Sequence, residues 1–171
     1  GYRYATLGYT TAMEAAVPPL TARHALEEMY DTPIIDNGFY VLLGNNLFLQ
    51  SLIAEGRYEE FKEAVAWWLN ATKAYTVKLL NPGGDEPWKG HKNLNVKDID
   101  EDSKATDIAP RKVIDAFIDA LHELGTPHPP HIHCNNLGHS GNFDTTLETM
   151  KTAGDRSCLL YTSDAADEPS S

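Results

Sequence analysis

The sequence predicts an α/β fold built on a parallel sheet, and three observations point there. Short apolar runs alternate with longer amphipathic ones, in the rhythm strand, helix, strand, helix. Three of the apolar runs close on similar polar or glycine-rich ends, "LLGNN", "KLLNPGG" and "HIHCNNLG", at the place where the sites of parallel sheets gather. Neither GxGxxG nor GxxxxGK[ST] follows any run, so a dinucleotide site or a P-loop is unsupported. Two architectures fit: an open doubly wound sheet and a (β/α)₈ barrel.

Each element has its own signal. "YATLGYT", Tyr4 to Thr10, reads as a strand running into the turn "AVPPL". Thr21 can cap a short helix that runs through Met29. "GFYVLLGNN" reads as a buried strand. A helical pair follows, Leu47 to Ala54 and Tyr58 to Lys73, broken at Gly56. In the second helix Phe61, Val65, Trp68 and Leu69 recur at helical spacing, while Glu59, Glu60, Lys62 and Glu63 face water. Trp67 and Trp68 are both expected to pack. "YTVKLLN" is the next strand. Asp85 to Ala109 is a polar loop carrying Trp88, His91 and the acidic run "DIDED", expected to be solvated. Pro110 opens a helix where its missing N–H costs nothing. Its buried stripe is Val113, Ile114, Phe117, Leu121 and Leu124, and Gly125 ends it. The strand "HIHC" and a helix from about Thr145 to Met150 complete the order.

Composition narrows the function. The chain has 171 residues, a formal net charge of -11 and a pI near 4.9. That length suits one ordinary domain, and 42% hydrophobic residues suffice for a core. An acidic surface argues against nucleic acid and against anionic membrane, which both need a basic patch. No apolar run approaches the roughly 20 residues that span a bilayer. Cys134 and Cys158 make no disulfide framework and suit a reducing cytoplasm.

The end of the chain reads differently. Cys158 to Glu168 follows "TMKTAGDRS" abruptly, and it matches one reading frame of a transposon-end sequencing adaptor. Residues 157–171 are therefore expected to be adaptor translation, with the native segment stopping near Arg156. The first residue is Gly1, so a cut at the front is expected too.

Two features carry chemistry. On a strand His131 and His133 share one face, with Ile132 and Cys134 on the other. Either that face is a metal or catalytic site, or two histidines are satisfied structurally. Lys78 sits inside "TVKLL", where a buried ammonium is costly unless paired. It can snorkel or pair with a carboxylate, serve as a Schiff-base lysine, or add CO₂ and become a carbamate, an anionic bidentate ligand that bridges two divalent cations. His24, His91, His122, His128 and His139 are read as solvated.

The combination resembles the amidohydrolase superfamily, in which a carboxylated lysine on one barrel strand and a histidine on the next help to hold a binuclear zinc centre. More closely, "YTTAMEAAVPPLTARHALEE", "DTPIIDNGFYVLLGNN", "KLLNPGG", "HIHCNNLG" and "GNFDTTLETM" resemble the A-subunit of formylmethanofuran dehydrogenase. They also resemble the matching subunit of the bacterial formyltransferase/hydrolase complex. The resemblance covers nearly all of residues 1–156. It implies the central portion of a partial TIM-like barrel of the metal-dependent amidohydrolase type. By that resemblance Lys78 is the carboxylated bridging ligand. His133 is the favoured terminal ligand, being nearer the strand's C-terminal end, and His131 is its rival. Asn135 and Asn136 line the mouth as donors to substrate.

The superfamily's first-strand His-x-His pair is absent, and its catalytic aspartate is expected beyond Arg156. The implied reaction interconverts N-formylmethanofuran with formate and methanofuran, with Zn²⁺ as cofactor, methanofuran as carrier and further subunits of the complex as partners. Rival readings are another cyclic amidohydrolase with the same metal roles, and a metal-free scaffold subunit.

Overall fold

Parallel pairing in strict chain order shapes the sheet. In the computed structural model five strands run β1 (Thr11–Val17), β2 (Asp36–Leu42), β3 (Thr76–Leu80), β4 (His131–His133) and β5 (Leu159–Tyr161). They lie in the order β1-β2-β3-β4-β5, each parallel to the next. A doubly wound sheet reverses its strand order at a switch point. No reversal occurs among the described residues, so of the two architectures the order fits the barrel. The structure describes residues 1–82, 98–103, 106–137 and 140–156, and the backbone alone of 159–161.

The helices are α1 (Tyr2–Thr6), α2 (Ala22–Tyr30), α3 (Leu47–Ala54), α4 (Tyr58–Thr72), α5 (Pro110–Glu123) and α6 (Phe143–Ala153). Pro110 occupies the first turn of α5 as expected. Gly56 and Gly125 take positive φ at the ends of α3 and α5, a conformation that costs glycine little. Phe39, Val41, Val77, Leu79 and Ile132 form one face of the sheet and are almost wholly buried. Leu49, Leu52 and Ile53 of α3, Phe61 and Val65 of α4, and Val113, Ile114, Phe117 and Leu121 of α5 join them in one core. Phe61 and Phe117 meet edge to face at 4.9 Å.

Several expectations need correction. The first strand starts at Thr11, and Tyr2–Thr6 are helical. Ala, Met and Glu in "TAMEAAV" have little strand preference, and β1 forms because β2 offers it an edge to pair with. Thr21 precedes α2 but does not cap it through its side chain; its hydroxyl donates to the Pro18 carbonyl. Trp68 packs against the core, whereas Trp67 is mostly exposed, edge-on to its neighbour at 4.7 Å. Leu124 follows the last turn of α5 and is part exposed. The acidic run is solvated except at Ile99, which is buried. Trp88, His91 and His139 lie outside the described residues.

Leu159–Tyr161 add the fifth strand beside β4. Strand pairing needs only backbone N–H and C=O groups, so an open edge accepts a short apolar run of any origin.

Candidate functional site

Register decides which side chains meet. Tyr40 pairs with Thr76, Leu42 with Lys78, Lys78 with His131 and Leu80 with His133. In-register residues of parallel strands share a face, so these seven side chains lie together on the face opposite the helices. β4 is held to this register from below. The Thr76 hydroxyl donates to the carbonyls of His128 and Pro129, at 3.3 and 3.0 Å.

Lys78 and His131 form the centre of that face. Lys78 is 2% exposed and His131 5%. Lys78 Nζ lies 2.7 Å from His131 Nδ1. The His131 ring stacks on Tyr40, with centroids 4.7 Å apart and planes at 22°. Tyr40 is on β2 and His131 on β4, so the two rings meet across β3. Strands two apart in a flat sheet are separated by roughly 9.5 Å; rings that meet across one strand belong to the concave side of a curled sheet. Burial, and then the neighbouring Tyr75, pushes the Tyr40 hydroxyl above its ordinary pKa. His133 is half-buried, one step nearer the strand ends.

The ends of β2, β3 and β4 are tied to one another. The Lys78 carbonyl accepts from Leu43 N and Gly44 N at 3.1 and 3.3 Å. That approach requires a glycine: a Cβ on Gly44 would stand 2.9 Å from Leu79 Cα. The two asparagines of "GNN" do different things. Asn46 caps α3, its Oδ1 accepting from Leu49 N at 3.1 Å, while Asn45 Nδ2 donates to the Leu80 carbonyl at 2.5 Å. Asn81 N donates to the His133 carbonyl at 3.1 Å. Asn135 Nδ2 donates to the Pro82 carbonyl at 3.0 Å. Asn136 takes a positive φ of 56°.

Sequence reasoning and structure can now be compared residue by residue. Lys78, His131 and His133 share a face as expected. Lys78 contacts His131, the rival of the pair. Asn135 lies at the strand end, but one of its N–H groups is engaged by Pro82, and its oxygen is the atom without a partner. Sequence reasoning misses Tyr40, Asn45 and Asn81. The three look-alike strand ends signal the asparagines, and the two-residue spacing from Leu42 places Tyr40 on the inner face. Cys134 belongs to the other face, fully buried, where desolvation pushes its thiol above the usual value. His24 and His122 are exposed, whereas His128 is half-buried and stacks on Tyr75 at 3.7 Å. Among the described residues, no three His, Cys, Asp or Glu side chains gather to hold a metal by themselves. Among them, too, no helix is long and apolar enough to cross a membrane.

Comparison with known proteins supplies the context. No protein-family model matches the chain. It is 46% identical over 151 residues to Protein FwdA of Methanocaldococcus jannaschii, covering 88% of this chain and 26% of that protein. It is 38% identical over 161 residues to the A-subunit of the formyltransferase/hydrolase complex Fhc of Methylorubrum extorquens, covering 91% of this chain and 28% of the relative. The crystal structure of the formyltransferase/hydrolase complex FhcABCD from Methylorubrum extorquens, in complex with methylofuran, superposes with a TM-score of 0.84 at 35% identity. That match covers 92% of this chain and 29% of the solved one. The chain thus spans about a quarter of the length of the curated relatives it matches. The parallel sheet agrees with a partial barrel. Over most of its own length, the chain is a homologue of FwdA and of the A-subunit of the formyltransferase/hydrolase complex.

Proposed function

We propose that residues 1–156 are a middle portion of a zinc-dependent amidohydrolase subunit that interconverts N-formylmethanofuran with formate and methanofuran. The observation that carries this reading is the buried Lys78–His131 contact on the inner face of a parallel sheet. Arg156 donates to Asp115 at 2.6 Å and to Asp119, closing the end of α6 onto α5.

The donor set fits part of a zinc centre. Imidazole nitrogen and carboxylate-type oxygen are both zinc ligands. The Lys78 ammonium would first give up one proton; CO₂ adding to the neutral Nζ then forms an N–C bond and releases a second, so that a buried cation becomes an anion. The carbamate nitrogen keeps one N–H, and His131 Nδ1 is within reach of it. On this reading His131 orients the lysine. His133, about 7 Å nearer the strand ends at two residues of strand rise, is the terminal ligand. The remaining ligands and the general base, an aspartate, come from outside this segment. When bound, zinc supplies polarisation of the formyl carbonyl and acidification of water.

This chain's own residues do the positioning. Tyr40 fixes the His131 ring plane. Asn135 and Asn136 line the mouth and contact substrate. The protein works in the cytoplasm with the other subunits of a formyltransferase/hydrolase-type complex.

The test is zinc content and N-formylmethanofuran hydrolysis by the full-length subunit. Zinc with hydrolysis of this substrate is the expected result. Zinc with activity only on cyclic amides would assign a different amidohydrolase, and no zinc would assign a scaffold role.

A further inference from the structure

Every buried polar atom that lacks a partner calls for an explanation. Among the described residues four side-chain atoms are in that state: Asn45 Oδ1, Asn81 Oδ1, Asn135 Oδ1 and Thr106 Oγ1. Three of the four are asparagine oxygens just past the ends of three adjacent strands, β2, β3 and β4. All three residues attach to one short stretch. Asn45 donates to Leu80, Asn135 donates to Pro82, and Asn81 lies between those two positions. The stretch follows Lys78 by two to four residues, at and just past the end of β3.

The orientation of two of these amides is forced. A backbone carbonyl only accepts, so Asn45 and Asn135 must turn their nitrogens to Leu80 and Pro82. What each has left over is an acceptor. Asn81 holds a positive φ of 43°, a conformation asparagine tolerates better than most residues with a Cβ. The ends of three adjacent strands therefore each carry an amide oxygen that is buried and has no partner among the described residues.

We propose that Asn45, Asn81 and Asn135 form an acceptor collar for the N–H of the substrate, the amide nitrogen of a formylated amine and the amine nitrogen it becomes. The proposal rests on the amide-hydrolase reading above and extends it to recognition of the leaving group. In hydrolysis a C–O bond forms from water and the C–N bond breaks. The electron pair stays on nitrogen, which takes up a proton and leaves as an amine with more N–H donors than the formamide had. Neutral amide oxygens suit that sequence. They accept from the formamide N–H and continue to accept as the nitrogen gains protons, without pairing a fixed negative charge against the catalytic face.

Asn81 gives the cleanest test, because glycine also tolerates its backbone. Asn81→Gly removes the oxygen, and Asn81→Asp keeps an acceptor at the same place. The zinc-loaded full-length complex is assayed on the N-formyl carrier and on its N-methyl derivative, which has no amide N–H. Wild type and Asn81→Asp are expected to prefer the N–H substrate by about tenfold or more in kcat/KM, and Asn81→Gly to lose most of that preference with zinc content unchanged. Binding of the free amine carrier and its N,N-dimethyl derivative to the zinc-depleted complex, read by calorimetry, gives the same comparison without catalysis. If wild type hydrolyses neither formyl substrate but still prefers the primary amine in an Asn81-dependent way, the reaction assignment fails and the collar stands. An unchanged preference in Asn81→Gly, as when ordered water satisfies the oxygens, overturns the collar, as does the absence of measurable amine binding.

Discussion

The two faces of the β2–β3–β4 sheet differ in kind although the same residues, read alternately, make both. On the helix side Val41, Val77, Leu79 and Ile132 are fully buried among the side chains of α3, α4 and α5. On the other side Tyr40, Lys78, His131 and His133 form a polar surface whose central pair is just as buried. Burial alone does not separate them. The helix side is satisfied by shape, the inner side by directed contacts. Substitutions should therefore cost stability on one face and chemistry on the other.

The largest expected effect is at the centre of the inner face. In the full-length subunit, Lys78→Ala should remove the carbamate ligand proposed above, lower zinc content and cut turnover by well over about 100-fold, beyond what losing an outer partner of a metal ligand costs. Lys78→Arg should fail equally, since it keeps its charge and forms no carbamate. Full zinc occupancy with normal turnover in the alanine variant would reduce the inner face to packing. His133→Ala should lose more zinc than His131→Ala; the reverse order would exchange their roles.

On the helix side, Phe117→Ala should cost about 3–5 kcal/mol in denaturant unfolding by creating a cavity against Phe61. Folded variant protein should keep its zinc stoichiometry. Zinc loss in proportion to the lost stability would mean that the two faces are not separable. Tyr40 sharpens the contrast further. Tyr40→Phe retains the ring stack on His131 and should bind zinc as wild type does. Tyr40→Leu should bind it about tenfold more weakly, the effect of loosening a ligand's support. Equal zinc competition curves for the two variants would show that the stack is incidental.

Smaller effects belong outside the sheet. Arg111 donates to Asp100 at 2.6 and 2.9 Å and holds its carboxyl below the ordinary value, with burial opposing. A lowered folded-state pKa gives stability that is present above the unfolded value and lost as pH falls through the folded one. Acid titration of stability should therefore flatten slightly in Arg111→Met, and an identical acid limb would remove this pair from the account. Smallest of all, deleting residues 157–171 should change stability by less than about 0.5 kcal/mol, as for inconsequential surface changes. A larger loss would make β5 an evolved strand.

The helices α3, α4 and α5 were legible because their apolar spacing and their punctuation by Gly56, Pro110 and Gly125 are local. Lys78 was legible because a charge inside an apolar strand stands out. β1 was not, since pairing with β2 rather than residue preference makes it a strand. Nor was the choice between His131 and His133 as the neighbour of Lys78. That depends on strand register, which is set across the chain by Thr76 and the carbonyls of residues 128 and 129. The adjacent Asn45 and Asn46 look alike in sequence, yet one caps a helix and the other ties two strands. Only the fold distinguishes them.

The Thr76 contact also fixes the length of the segment that leads into β4. One residue inserted after Pro129 would shift the strand by one place against its neighbour. His131 and His133 would then turn into the apolar layer, and Ile132 and Cys134 would turn toward Lys78. Two residues inserted together would return every side chain to its own side, but would set His131 beside Leu80 and leave Lys78 without it, so an insertion of either length at this point breaks the Lys78–His131 contact. A strand of only three residues has no further turns of its own with which to absorb the error.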